Sequence, residues 1–222
     1  MRPLLFSLLC LFVLNSEAAV SDINRIYHEV PTLDGFDICS GGGCVEIKRV
    51  SLTPEEWQKI VFIFNADLSA PNAEQPSTPE AVQERKRIAL AVGKLEELVG
   101  VKAGTSTDRA GTFDNSSYPG QLDCNDEAIN TTTYIRLMYQ YGLIKLHEVE
   151  DMRTRNFFFT GWPHTTAVIQ EIATGHRFAV DSWFYDNGVP ATILPFEQWK
   201  SGYVPEDSPI RHTRSANKPV DQ

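Results

Sequence analysis

The chain has no run of Lys or Arg, and its 20 basic residues are outnumbered by 29 acidic ones, for a net charge of -9 at neutral pH. Phosphate backbones are held by clustered cations, so nucleic acid is excluded as a general partner. No internal repeat is present, which excludes solenoids and propellers. Beyond Leu14 no apolar stretch is long enough to cross a bilayer, so no stable membrane insertion is expected. The paired ligand spacing of structural zinc sites is also missing. Cysteine is scarce, with four residues in 222. What is present is ordinary: 42% hydrophobic and 22% charged, the mixture of one globular domain or two small ones.

The first residues read as an address. Arg2 precedes the apolar run Pro3 to Leu14, and the small residues Ser16 and Ala18 follow. That order is a secretory signal peptide, cut after Ala18, with a membrane anchor as the alternative. Cys10 lies inside the run and lacks the small residue before it that a lipoprotein signal needs. The expected plan is a signal peptide over 1–18, one domain over 19–204 and a polar, frayed tail over 205–222. The expected location is periplasmic or secreted.

Removing Cys10 leaves Cys39, Cys44 and Cys124, an odd number in an oxidising compartment. The glycines of Cys39-Ser40-Gly41-Gly42-Gly43-Cys44 allow a tight Cys39–Cys44 bridge. That bridge leaves Cys124 free. In the alternative, Cys124 pairs with Cys39 or Cys44, or is an inert buried thiol.

The pattern predicts helices first and strands later, hence an α+β fold. Residues 19–43 read as an irregular arm, and Val45–Leu52 as a loose strand. Thr53-Pro54-Glu55-Glu56 starts a helix to about Ala66. A second helix runs from Thr78-Pro79 to a stop at Gly100. A polar connector fills 101–122. A third helix, from Cys124 to Tyr141, carries Cys124, Ala128, Thr131, Ile135, Met138 and Tyr139 on one face. Leu143–Val149, Asn156–Thr160, His164–Ile172 and Arg177–Phe184 read as strands, and Phe196–Gly202 as a short helix.

A thiol at a helix N-terminus faces unpaired N–H groups and the positive end of the dipole, which favour the thiolate. Asp123 and Asp126 oppose that effect. His164 and Asp181 supply a base and its orienting partner. If 164–172 and 177–184 form a hairpin around Ala173-Thr174, Asp181 faces Thr166, and His164 is its diagonal neighbour on one face. A four-residue loop from Glu171 to Thr174 would instead place them directly opposite. Cys124, His164 and Asp181 are thus the candidate catalytic set. A zinc site from the same three residues is the chemical alternative.

Cys124-Asn125-Asp126-Glu127-Ala128, His164-Thr165-Thr166-Ala167-Val168 and Val180-Asp181-Ser182 together resemble the transglutaminase-like cysteine hydrolases. The resemblance covers about residues 115–185, and is nearest to bacterial transglutaminase-like cysteine proteinases that release surface adhesins from the periplasm. It implies a papain-like domain, with a helical layer on an antiparallel sheet, and a protein or peptide substrate. It implies Cys124 as nucleophile, His164 as general base and acid, and Asp181 as orienting carboxylate. It also implies calcium held by acidic residues beside the nucleophile, here Asp123, Asn125 and Asp126, although Asn125 stands where an acidic residue is usual. No cofactor is required for the chemistry itself. The alternative role of these three side chains is to cap the helix.

The Cys124 backbone N–H is the natural oxyanion donor, with Gln121 or Trp162 as candidate second donors. His147 and His176 read as ordinary polar residues at strand ends, and Trp57, Trp183 and Trp199 as core. Two alternatives accompany the peptidase reading: acyl transfer to an amine, as in transglutaminases, and a non-catalytic binding protein on the same fold.

Overall fold

The computed structural model describes residues 24–26, 28–68, 77–113, 119–156 and 163–211. The expected signal peptide, Trp162 and all but the first residue of the strand expected over Asn156–Thr160 lie outside these. Residues up to Val30 form one unit, whose described part is helical at 24–26, and residues from Pro31 form a second.

The second unit begins with a hairpin, β1 (Phe36–Ser40) and β2 (Glu46–Val50), paired antiparallel from Phe36↔Val50 to Ser40↔Glu46. The strand β1 lies inside the stretch expected to be irregular. Its five residues are all buried, Asp37 and Ser40 included, so burial does not alternate along it.

Helix α1 (Pro54–Asn65) starts where expected. Thr53 accepts from the Glu56 N–H, and Glu56 reaches back to the Thr53 N–H, a reciprocal pair that satisfies two orphan donors. Helix α2 (Pro79–Ala103) runs through the expected stop at Gly100 and ends at Gly104, whose φ of 87° is left-handed. Gly100 serves close packing instead: a Cβ there would sit 3.1 Å from the Ser106 backbone. Helix α3 (Cys124–Gln140) matches its expectation and is almost wholly buried, as a central helix must be. Tyr139, placed on its apolar face, is half-exposed.

The main sheet is antiparallel, in the order β3 (His147–Arg155), β4 (His164–Glu171), β5 (Arg177–Asp181), β6 (Thr192–Pro195), and the short helix α4 (Phe196–Lys200) follows. Strand β3 starts later than expected and extends through Glu150-Asp151-Met152-Arg153-Thr154-Arg155, a run too polar to read as a strand. It bears a register irregularity between Glu150 and Arg153.

Helix α3 packs on β4, β3 and β1, and α1 packs on α2. Strand alternation sends Ala167, Ile169, Phe178 and Val180 into a large core with Ile88, Leu95, Ile135 and Leu137. Each of these side chains except Ala167 contributes roughly 1.5–3 kcal/mol by leaving water. A second cluster joins Cys124, Ala179, Trp183, Phe184, Leu194, Trp199, Val204 and Ile210. Ile210 is buried, and the Ser208 hydroxyl donates to the Phe184 carbonyl at 2.7 Å, so packed structure continues beyond Val204, where a frayed tail was expected.

Candidate active site

The site begins with a helix cap. Asp123 precedes α3 in extended conformation, and its Oδ1 accepts from the N–H groups of Asn125 and Asp126, both at 2.9 Å. Asp126 closes the box by accepting from the Asp123 N–H. Cys124 is therefore the first residue of a firmly capped helix. It is a free thiol, because Cys39 and Cys44 are bonded to each other as expected.

His164 opens β4, and Asp181 closes β5. The observed register pairs Ala167 with Val180. One step further, Asp181 lies beside Thr166, with His164 diagonal to it, as the shorter-loop alternative required. His164 Nε2 and Asp181 Oδ2 are 2.6 Å apart, and both residues are about 2% exposed. The other ring nitrogen, Nδ1, is buried without a hydrogen-bond partner among the described residues. The next residue, Thr165, ties β4 to the helix end: its hydroxyl donates to Asn125 Oδ1 at 2.9 Å, and its backbone N–H acts on the Cys124 sulphur.

Aromatic rings enclose the histidine. Trp183, Phe184 and Trp199 stand with centroids 4.6, 5.5 and 5.7 Å from His164. Trp183 and Trp199 are core, as expected, yet they also wall the site. Trp199 Nε1 donates to Asp181 Oδ2 at 2.7 Å. Arg155, paired with His164 across the strands, lays its guanidinium over Trp199 at 5.0 Å and donates to the Trp199 carbonyl at 2.6 Å. Neither role had a sequence signal, because Trp199 and Arg155 lie in unrelated stretches of chain.

Behind the site lie three buried acids with no cation among them in the hydrogen bonds observed: Glu96 of α2, Asp108 of the connector and Glu127 of α3. Ser182 donates to Glu127 at 2.5 Å, the Leu122 N–H donates to Asp108 at 2.6 Å, and the Gly188 N–H donates to Glu96 at 3.1 Å. Asp108 and Glu127 also interact directly, and two carboxylates held together out of water favour keeping a proton. Burial, then the charge of Glu127, pushes Asp108 up to about 9. Burial raises Glu127 to about 7 and carries Glu96 well above the ordinary range.

The thiol is not activated by its helix end alone. Burial, with further help from Asp123 and Asp181, raises Cys124 to about 11, against the lowering effect of the Thr165 N–H. The dipole argument from sequence is outweighed because the sulphur is desolvated and has anionic neighbours.

The other expected residues serve structure. Gln121 is buried; its amide donates to the Thr107 carbonyl and accepts from the Arg109 N–H, pinning the connector. All four carboxylate oxygens of Asp123 and Asp126 accept N–H groups. The Asn125 carbonyl is taken by Thr165. Facing N–H dipoles, this set does not fit a calcium ion: Asp123 and Asp126 cap the helix, and Asn125 ties it to β4. Among the described residues no group of three or more His, Cys, Asp or Glu is placed to hold a metal ion. No described helix is long and apolar enough to cross a membrane. A cavity of about 450 Å³ lined by Arg85, His176, Arg177, Phe178 and Phe196, among others, includes no member of the candidate set.

No family model, no curated protein and no solved structure matches this chain.

Proposed function

We propose that this chain is a thiol hydrolase, and more particularly a peptidase acting outside the cytoplasm on peptide or amide bonds through Cys124, His164 and Asp181. One observation carries the reading. A buried histidine is locked to a buried carboxylate through Nε2, while Nδ1 has no hydrogen-bond partner among the described residues and the following residue contacts a free cysteine. A buried polar atom without a partner costs stability, and a proton-transfer role accounts for keeping one. The Cys39–Cys44 disulfide supports an oxidising location. The resemblance to transglutaminase-like cysteine proteinases rests on the residue order alone.

In this mechanism His164 takes the Cys124 proton at Nδ1, and the resulting imidazolium is stabilised by Asp181. The sulphur adds to the substrate carbonyl, and the Cys124 backbone N–H at the helix start stabilises the oxyanion. Collapse expels the amine, which leaves with the proton from His164. Water then adds to the thioester, giving up a proton to His164. The carboxylic acid departs and the thiol regains its proton.

The Cys124 thiol, raised to about 11, favours one second reading, a non-catalytic binding protein. The two separate on a peptide library read by mass spectrometry, with chloroacetamide labelling of Cys124 at pH 7 alongside. The hydrolase cleaves peptides, labels faster than a free thiol, and loses cleavage entirely in Cys124→Ala. Absence of both cleavage and labelling sinks it. Incorporation of a labelled amine in place of water would reassign it as a transglutaminase.

A further inference from the structure

The nucleophile's helix is gripped at two points by the small disulfide loop. The N–H groups of Gly42, Gly43 and Cys44 converge on the two carboxylates that flank Cys124 in sequence. Gly42 donates to Asp126 Oδ2 at 2.8 Å, Gly43 to Asp123 Oδ2 at 2.9 Å, and Cys44 to Asp126 Oδ1 at 2.6 Å. About one turn further along α3, Asn130 binds the other half-cystine: its Oδ1 accepts from the Cys39 N–H at 2.8 Å, and its Nδ2 donates to the Cys39 carbonyl at 2.9 Å. The backbone is left-handed through this turn, with φ of 89°, 81°, 63° and 62° at Gly41, Gly42, Gly43 and Cys44, and its successive N–H groups form an anion-holding concavity. Three of the four are glycine, free to adopt that region but equally free to leave it. Cys44 is not glycine, and its left-handed conformation is strained. Without the cross-link, little in the loop's own preferences holds it in this shape.

We propose that the Cys39–Cys44 loop is a positioning element for Cys124, so that the reactivity of the nucleophile depends on an oxidised disulfide elsewhere in the chain. Closed, it fixes the caps on either side of Cys124 and the direction of the first-turn N–H groups. Opened by a dithiol reductant, the S–S bond takes up two electrons and two protons. It becomes two thiols, and the reductant becomes a cyclic disulfide. The Gly-rich loop then leaves the carboxylates, while the β1–β2 ladder and Asn130 keep the hairpin in place. Both sulphurs are buried, so opening is slow under mild reductant. The sign is unusual, since reductants ordinarily preserve the activity of thiol enzymes by keeping the nucleophile reduced. The chemical consequence rests on the proposed thiol-hydrolase reading, but the clamp itself does not.

The test uses the full chain, with chloroacetamide labelling of Cys124 read by peptide mass spectrometry and hydrogen exchange read alongside. After prolonged dithiothreitol treatment, and in the Cys39→Ser/Cys44→Ser variant, Cys124 labels at least tenfold more slowly. The Asn125 and Asp126 amides exchange at least tenfold faster, while those of Leu137 and Met138 do not change. Reoxidation restores the wild type, and the variant does not respond to reductant. Asp126→Ala keeps the disulfide but removes two of the three loop N–H hydrogen bonds, so it reproduces the loss even if the double variant fails to fold. Unchanged labelling and exchange in the reduced wild type or in Asp126→Ala overturn the proposal. If oxidised Cys124 reacts no faster than a free thiol, the hydrolase reading fails, and exchange alone judges the clamp.

Discussion

Two histidines are buried at opposite ends of the β3–β4 ladder, each against a carboxylate, and they differ in one atom. At one end His147 has both ring nitrogens engaged: Nδ1 with Glu84 Oε1 at 2.8 Å and Nε2 with Arg85 at 3.0 Å. Arg85 can only donate, so Nε2 accepts, and the ring proton sits on Nδ1, directed at Glu84. At the other end His164 spends Nε2 on Asp181, and Nδ1 has no hydrogen-bond partner among the described residues. Burial and a carboxylate partner are common to both. The unsatisfied nitrogen separates the two: His147 is fully engaged in structure, and His164 is the one proposed to move a proton.

Replacing each in turn gives the largest contrast. His164→Ala slows Cys124 labelling at pH 7 by roughly 10²–10⁴-fold, the range for losing a positioned base. The remaining thiol, raised to about 11 by burial, then labels faster with every step in pH toward that value. His147→Ala leaves labelling within about twofold, but costs about 3 kcal/mol in urea unfolding, because Glu84 and Arg85 lose a buried partner. A His147→Ala variant with intact stability and a dead thiol would reverse the assignment.

The acids at the two ends differ in the same sense. Near His147, Glu171 is held below its ordinary range despite burial, by hydrogen bonds from Ser77 and Arg85. Near His164, Asp108 and Glu127 are raised to about 9 and about 7. A raised acid keeps its proton in the folded chain and loses it in the unfolded one. Between about pH 4 and 9 the folded state therefore binds more protons, and stability falls as pH rises. One extra proton held over four pH units makes the expected loss from pH 5 to pH 9 roughly 5 kcal/mol by chemical unfolding. Asp108→Asn flattens that slope, whereas Glu171→Gln does not. A flat profile in the wild type would mean that these acids are ionised in the fold.

Much of this contrast was legible in the sequence. The caps at Thr53 and Asp123, the start of α3 at Cys124 and the hairpin face that His164 shares with Asp181 follow from local rules, while the choice between two registers does not. His147 looked like an ordinary strand-end residue, because its partners Glu84 and Arg85 lie more than sixty positions away on α2. Strands β1 and β3 were misread for opposite reasons. One is buried on every residue; the other is almost wholly polar, and neither alternates. The helix dipole and the two flanking carboxylates left the thiol's net shift open, and what decides it is desolvation, which no stretch of sequence records.

The smallest effect separates two tryptophans. Trp57 packs in the large core against Tyr141, with centroids 5.3 Å apart, far in sequence from any member of the candidate set. Trp199 packs as deeply but gives its N–H to the Asp181 oxygen that also holds His164. Phenylalanine keeps an aromatic ring at either site and deletes the donor. At Trp199 the lost hydrogen bond costs about 1–2 kcal/mol and leaves Asp181 with a freer lone pair, so its carboxylate turns and carries the imidazole with it. Cys124 labelling therefore falls about threefold to tenfold, alongside the stability loss. At Trp57 the same change lowers stability by a similar amount through lost packing, and labelling does not move. Equal labelling in the two variants would make Trp199 a core residue and nothing more, and the orientation of His164 would then rest on Asp181 and the strand register alone.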